Sequence, residues 1–290
     1  MLGVLALVSH ACRRVVDRTA HSERAAWTDL GVDAGHDAVP FARSPERPVT
    51  DAGDSLQAQT SEPRLDGGTP KEVGTSDARS GPLPLHFGQR RPAVYYTPRT
   101  KTREQPIVVM LHGMCALPEY ECPVFRRGAT SSSWLLCPPG PTPCQGGGAM
   151  WTGSTEQLTA TVTSSLQALA RENPTVDLNR KVLVGYSLGA VAALRVVSAS
   201  KGDWSGLMLL NAGLEPHPAT LEAAGLRRVA LVAGERDGSR AKLRRAADRL
   251  VRAGLDARFF SLASTGHFFD GTSEARLVEP LEWLGEGILQ

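Results

Sequence analysis

The sequence predicts an α/β domain with a mostly parallel central sheet and helices on both of its faces. Three observations carry this expectation. Short apolar runs recur from residue 106 to residue 263, and most of them end in Gly or Pro. The runs are apolar throughout rather than alternating, which suits strands covered on both faces. Helical periodicities lie between them, and strand–helix alternation of this kind builds a parallel sheet.

Taken in chain order, structure is expected to begin near Leu83. "PLPLHFG" and "RPAVYYTP" flank the turn-prone Gly88-Gln89 and suit an antiparallel pair at a sheet edge. The continuous runs come next: "PIVVMLHG" (106–113), "WLLCPPG" (134–140), "KVLVG" (181–185), "GLMLLNAG" (206–213), "RVALVAG" (228–234) and the strand-like "ARFFSLA" (257–263). Between them, Ser154 opens a helix with a capping box, since Gln157 stands three residues on. Leu158, Val162, Leu166 and Leu169 then form one apolar face. Leu243, Ala246, Leu250 and Val251 do the same in a later helix that Gly254 is placed to end. Leu277, Leu281 and Leu284 mark a last helix.

Residues 13–80 read differently. They are rich in Pro, Gly, Ser, Thr and Asp and poor in large apolar side chains, so they cannot bury enough surface to offset their ordering entropy. A disordered linker is expected there, with a marginal helix at most around 24–30, and then one catalytic domain over 81–290. Residues 1–12, "MLGVLALVSHAC", are similar to a shortened lipoprotein-type signal in which Cys12 becomes a lipidated tether to a membrane. The alternative is an ordinary N-terminus of a cytoplasmic protein. No run reaches the ~18 apolar residues of a membrane span. The formal charge of +2, with its basic residues scattered, argues against a nucleic-acid partner.

Four of the five cysteines, Cys115, Cys122, Cys137 and Cys144, fall within residues 115–144. An even four suits two disulfides in an exported protein, against the alternative of four free thiols. Three pairings are open. Cys115 and Cys122 are too far apart in sequence for a zinc pair, and no metal site is expected.

The chemistry gathers at "KVLVGYSLGAVAAL" (181–194), where Ser187 stands between Gly185 and Gly189 on a strand-to-helix turn. A side chain on so tight a turn stands clear at the carboxyl end of a sheet, and a β-carbon at either glycine would crowd it. A serine hydroxyl becomes a useful nucleophile when a histidine takes its proton and a carboxylate holds that histidine. Asp237 comes after the run at 228–234 and His267 after the one at 257–263, so both lie in loops beyond strand ends. Glu235 and Asp270 are alternative acids; His112 and His217 are alternative histidines.

At this elbow, with an acid and a histidine following in the order Ser, Asp, His, the chain resembles the α/β-hydrolase family. "VDLNRKVLVGYSLGA" (176–190) is nearest in pattern to its dienelactone-hydrolase and esterase/depolymerase branch. Dienelactone hydrolases proper use a cysteine nucleophile, so the serine here implies an esterase instead. The resemblance implies catalytic Ser187, Asp237 and His267, with an oxyanion hole from the N–H groups of Leu188 and Met114, the latter shaped by His112-Gly113. It implies neither cofactor nor metal. The segment "LEPHPATLEAAGLRR" (214–228), about fifteen residues leading into the run at 228–234, leaves no room for a large cap, so an open site for small or accessible esters is expected. Tyr120 and Trp151, with Phe125, are candidate substrate contacts, the alternative being that they pack their loops. A peptidase or acyltransferase on the same triad, and a non-catalytic binding member of the fold, are the competing functions.

Overall fold

The structure is a computed structural model and describes residues 81–100 and 103–289. The expected signal segment (1–12), its Cys12 tether and the linker (13–80) lie outside the described residues. Eight strands form one sheet. They are β1 (Leu83–Leu85), β2 (Ala93–Tyr96), β3 (Gln105–Leu111), β4 (Trp134–Cys137), β7 (Val176–Tyr186), β8 (Gly206–Leu210), β9 (Arg228–Gly234) and β10 (Ala257–Leu262), in the spatial order β1-β2-β4-β3-β7-β8-β9-β10. The β1–β2 and β2–β4 pairs are antiparallel, and every other pair is parallel. A two-stranded hairpin, β5 (Thr142–Pro143) with β6 (Ala149–Met150), stands apart.

The continuous apolar runs have a direct explanation in the packing. Ile107, Val109 and Leu111 of β3 enter one core, and Val108 and Met110 enter another on the opposite face. Leu207 and Leu209 of β8 join the first core, Met208 and Leu210 the second. Successive strand side chains point to opposite faces, so a strand buried on both must be apolar at every position.

Helices α3 (Thr155–Glu172), α4 (Leu188–Ala199) and α6 (Arg240–Arg252) cover the first face. On the second lie α2 (Pro123–Ala129) and α8 (Val278–Gly285). Helix α3 carries the expected capping box: Ser154 Oγ accepts the Gln157 N–H, and Gln157 Oε1 accepts the Ser154 N–H at 2.9 Å. Helix α6 buries Leu243, Ala246 and Leu250. Val251 does not share that face. It is exposed, because it follows Leu250 by 100° of helical rotation.

Two short helices follow the loop after β3. Pro118 and Pro123 each occupy a first helical turn, where a missing N–H costs nothing, and start α1 (Pro118–Glu121) and α2. Strand β7 begins at Val176, five residues before the expected start, with a register irregularity opposite Gln105 and Ile107. Between β8 and β9 there is only α5 (Pro218–Ala223), so among the described residues no large cap is inserted between these strands. A short α7 (Ser273–Arg276) precedes α8. Among the described residues no helix is long and apolar enough to cross a membrane.

Candidate active site

The parallel strands β3, β7, β8, β9 and β10 all end at one edge of the sheet. The residues just beyond those ends are His112-Gly113-Met114, Ser187, Asn211, Asp237 and His267. Parallel pairing alone therefore gathers residues from five distant parts of the sequence.

Ser187 adopts φ 53°, a left-handed conformation rare for a residue with a β-carbon. Its N–H donates to Leu210 O at 2.9 Å, and helix α4 starts immediately after it. The turn closes because its flanking glycines lack side chains. A β-carbon on Gly189 would lie 2.1 Å from Leu111 O, and one on Gly185 would lie 2.4 Å from Gly189 O. No side chain fits at such distances.

From Ser187 a continuous chain of polar contacts runs to Asp237. Ser187 Oγ lies 3.1 Å from His267 Nε2, and His267 Nδ1 lies 2.6 Å from Asp237 Oδ2. The His267 side chain is 41% exposed, whereas that of Asp237 is only 2% exposed. Burial pushes the Asp237 carboxyl up. The hydrogen bonds from His267 and from the Ser239 hydroxyl and N–H outweigh burial and hold it below the usual carboxylate value. The alternatives named from sequence are occupied elsewhere. Glu235 accepts the Ser264 N–H, and Asp270 accepts the N–H and hydroxyl of Thr272. His217 is the N-cap residue of α5.

His112 is a loop support. Its Nε2 accepts the Gly140 N–H at 3.0 Å, so its Nδ1 carries the proton and donates to Gly113 O at 2.7 Å. Burial lowers its pKa to about 4, against the opposing Gly113 carbonyl. Trp151 stacks near this ring, centroids 5.5 Å apart, and is 2% exposed. It packs the loop and does not line an open mouth; Phe125 is also fully buried. Tyr120, by contrast, is 75% exposed and Met114 66%. Among the described residues no protein acceptor lies on the N–H of Met114 or Leu188.

Three polar residues of the site are not among those expected from the sequence. Asn211 Nδ2 donates to His267 O at 2.7 Å, and its Oδ1 accepts the Gly234 N–H at 2.9 Å. It joins the acid loop to the histidine loop. A polar residue ending the apolar run "GLMLL" was a signal that could have found it. The Tyr186 hydroxyl donates to His267 O at 2.8 Å. Glu121 Oε2 accepts the Gly113 N–H at 2.8 Å, and burial pushes its carboxyl up to about 7, against that N–H and the charge of a protonated His267. Nothing in the spacing of "PEYECP" points to it.

Two disulfides, Cys115–Cys144 and Cys122–Cys137, pin these loops and settle the pairing that sequence left open. Among the described residues no three His, Cys, Asp or Glu side chains converge as metal ligands.

No protein-family model matches the chain, and no curated protein matches it. Solved structures do. A Bacillus cereus carboxylesterase aligns at 21% identity with a TM-score of 0.50, covering 67% of this chain and 93% of its own. A Mesorhizobium loti carboxylesterase aligns at 23% identity with a TM-score of 0.52, over 70% and 98%. A dienelactone hydrolase-like promiscuous phosphotriesterase from metagenomic libraries aligns at 16% identity with a TM-score of 0.54, over 72% and 98%. Likenesses at these identities establish the α/β-hydrolase fold and no more.

Proposed function

We propose that the chain is a serine hydrolase that cleaves carboxylic esters, with residues 81–290 as its catalytic domain. The observation that carries this is the unbroken contact chain from Ser187 Oγ through His267 to Asp237. A strained serine, an exposed imidazole and a buried carboxylate serve one another in proton transfer.

In the proposed reaction His267 Nε2 takes the Ser187 proton as Oγ attacks the ester carbonyl. Asp237 holds the Nδ1 proton and stabilises the imidazolium that forms. The carbonyl oxygen becomes an oxyanion facing the Met114 and Leu188 N–H groups, each worth about 3 kcal/mol of transition-state stabilisation. Collapse breaks the ester C–O bond, and His267 returns its proton to the leaving alkoxide. Water, deprotonated by His267, then attacks the acyl-enzyme and regenerates Ser187.

The absence of a cap between β8 and β9 and the exposure of Tyr120 and Met114 favour accessible or small esters. The carboxylesterases among the structural likenesses point the same way. The two disulfides suit an oxidising, exported setting.

A fluorophosphonate probe tests the reading directly. The wild-type protein should label and should hydrolyse p-nitrophenyl acetate and butyrate. Ser187→Ala, with unchanged circular dichroism, should do neither. A folded wild-type protein that fails to label would refute the proposal.

A further inference from the structure

A cleft of about 270 Å³ opens between the β1–β2 turn and the β5–β6 hairpin. On one side it is walled by Gln89, Arg90 and Arg91, on the other by Gly140 and the glycines of the hairpin; no Asp or Glu lines it. Neither Arg90 nor Arg91 has an ion-pair partner among the described residues. By contrast Arg180, Arg228, Arg249, Arg258 and Arg276 each face a carboxylate. Arg91 is half-buried and reaches across the cleft, so that a β-carbon on Gly147 would lie 3.7 Å from its Nη2. Two guanidinium groups without counter-charges in a concave site are arranged for an anion, which they can hold in bidentate fashion.

The cleft is built onto the candidate active site. Its hairpin wall lies directly on Cys115: a β-carbon on Gly148 would be 1.9 Å from Cys115 O. The Ala149 N–H donates to Ala116 O at 3.1 Å, and Cys144 is bonded to Cys115. Gly140, on the same wall, donates to His112. Cys115 is the neighbour of Met114, the proposed oxyanion donor. The hairpin is therefore a wall shared by the cleft and the loop that would receive the carbonyl oxygen.

We propose that this cleft is an anion subsite that receives a carboxylate, or a group of like charge, carried by the ester substrate. Its role in substrate choice rests on the esterase reading; its affinity for an anion does not. The test is in two parts. Glutarate is titrated calorimetrically into wild-type and Ser187→Ala protein, and into Arg90→Gln/Arg91→Gln with its melting temperature checked. The ratio of kcat/KM for p-nitrophenyl hemiglutarate over p-nitrophenyl valerate is then measured for wild type and the double variant. Glutarate should bind wild type and Ser187→Ala and not the double variant, and the ratio should fall about tenfold in that variant. Absence of glutarate binding to Ser187→Ala, or a ratio unmoved by the arginine substitutions, overturns the subsite while leaving the esterase reading intact. Binding lost in the double variant, with neither ester turned over by wild type, upholds the anion site and overturns the esterase.

Discussion

Replacing Glu121 by Gln should stabilise the protein in neutral solution and do nothing in acid. The Glu121 carboxyl is raised from 4.5 to about 7, first by burial, so between those values the folded state holds a proton that the unfolded chain has released. Stability therefore falls as pH rises through that window, by about 3 kcal/mol once Glu121 is ionised in both states. Glutamine is isosteric, keeps an oxygen to accept the Gly113 N–H, and has no charge to bury. Its advantage should be absent below pH 4.5 and reach about 3 kcal/mol above pH 7, or roughly 6–12 °C in melting temperature for an ordered domain of this size.

His112 makes the comparison sharper. Burial lowers it from 6.5 to about 4, so between those values the unfolded chain binds the extra proton and stability rises with pH. In the wild-type protein the two slopes oppose each other and the profile from pH 4.5 to 6.5 should be nearly flat. In Glu121→Gln the His112 slope stands alone, and the melting temperature should climb through that interval. Differential scanning calorimetry at half-unit steps from pH 4 to 8.5 measures both. A melting-temperature gain of equal size at pH 4.5 and pH 8, or none at pH 8, would refute the burial argument for Glu121.

Other substitutions probe the remaining supports. Asp237→Asn should lower kcat about 10⁴-fold with little change in KM; turnover near wild type would mean that another carboxylate orients His267. Asn211→Ala removes the amide that joins Gly234 to His267 O, and should cost about 2–4 kcal/mol in urea denaturation and reduce kcat more than it alters KM. An unchanged unfolding midpoint would count against the bridge. Gly189→Ala, with its new β-carbon 2.1 Å from Leu111 O, should lose about 3 kcal/mol or more. Gly213→Ala, which meets only Lys242 Cδ at 3.6 Å, is the tolerated control. Cys122→Ala/Cys137→Ala opens a loop with a sequence separation of 15, for a loss of about 3 kcal/mol; an unaltered melting temperature would show that the packed helices hold without it.

The sequence by itself determined the sheet and the three residues at its edge. Burial on both faces forces unbroken apolar runs such as 107–111, and the elbow needs Gly185 and Gly189 within two residues of Ser187. Asp237 and His267 were legible because each parallel strand delivers its outgoing loop to the same edge. These are local constraints, written in adjacent residues. Only the tertiary structure decided the meetings between segments far apart in the chain. Glu121 finds the Gly113 N–H because Pro118 starts a helix that turns back on the loop. Cys115 pairs with Cys144 because the β5–β6 hairpin folds over Cys115, and Cys122 with Cys137 because both are buried in the core on the second face of the sheet. Trp151, a candidate substrate contact, is instead closed against His112, and Arg90 and Arg91 line a cleft without carboxylates that no spacing describes. Periodicity reports which face of an element is buried; it carries no information about which distant backbone will lie against it.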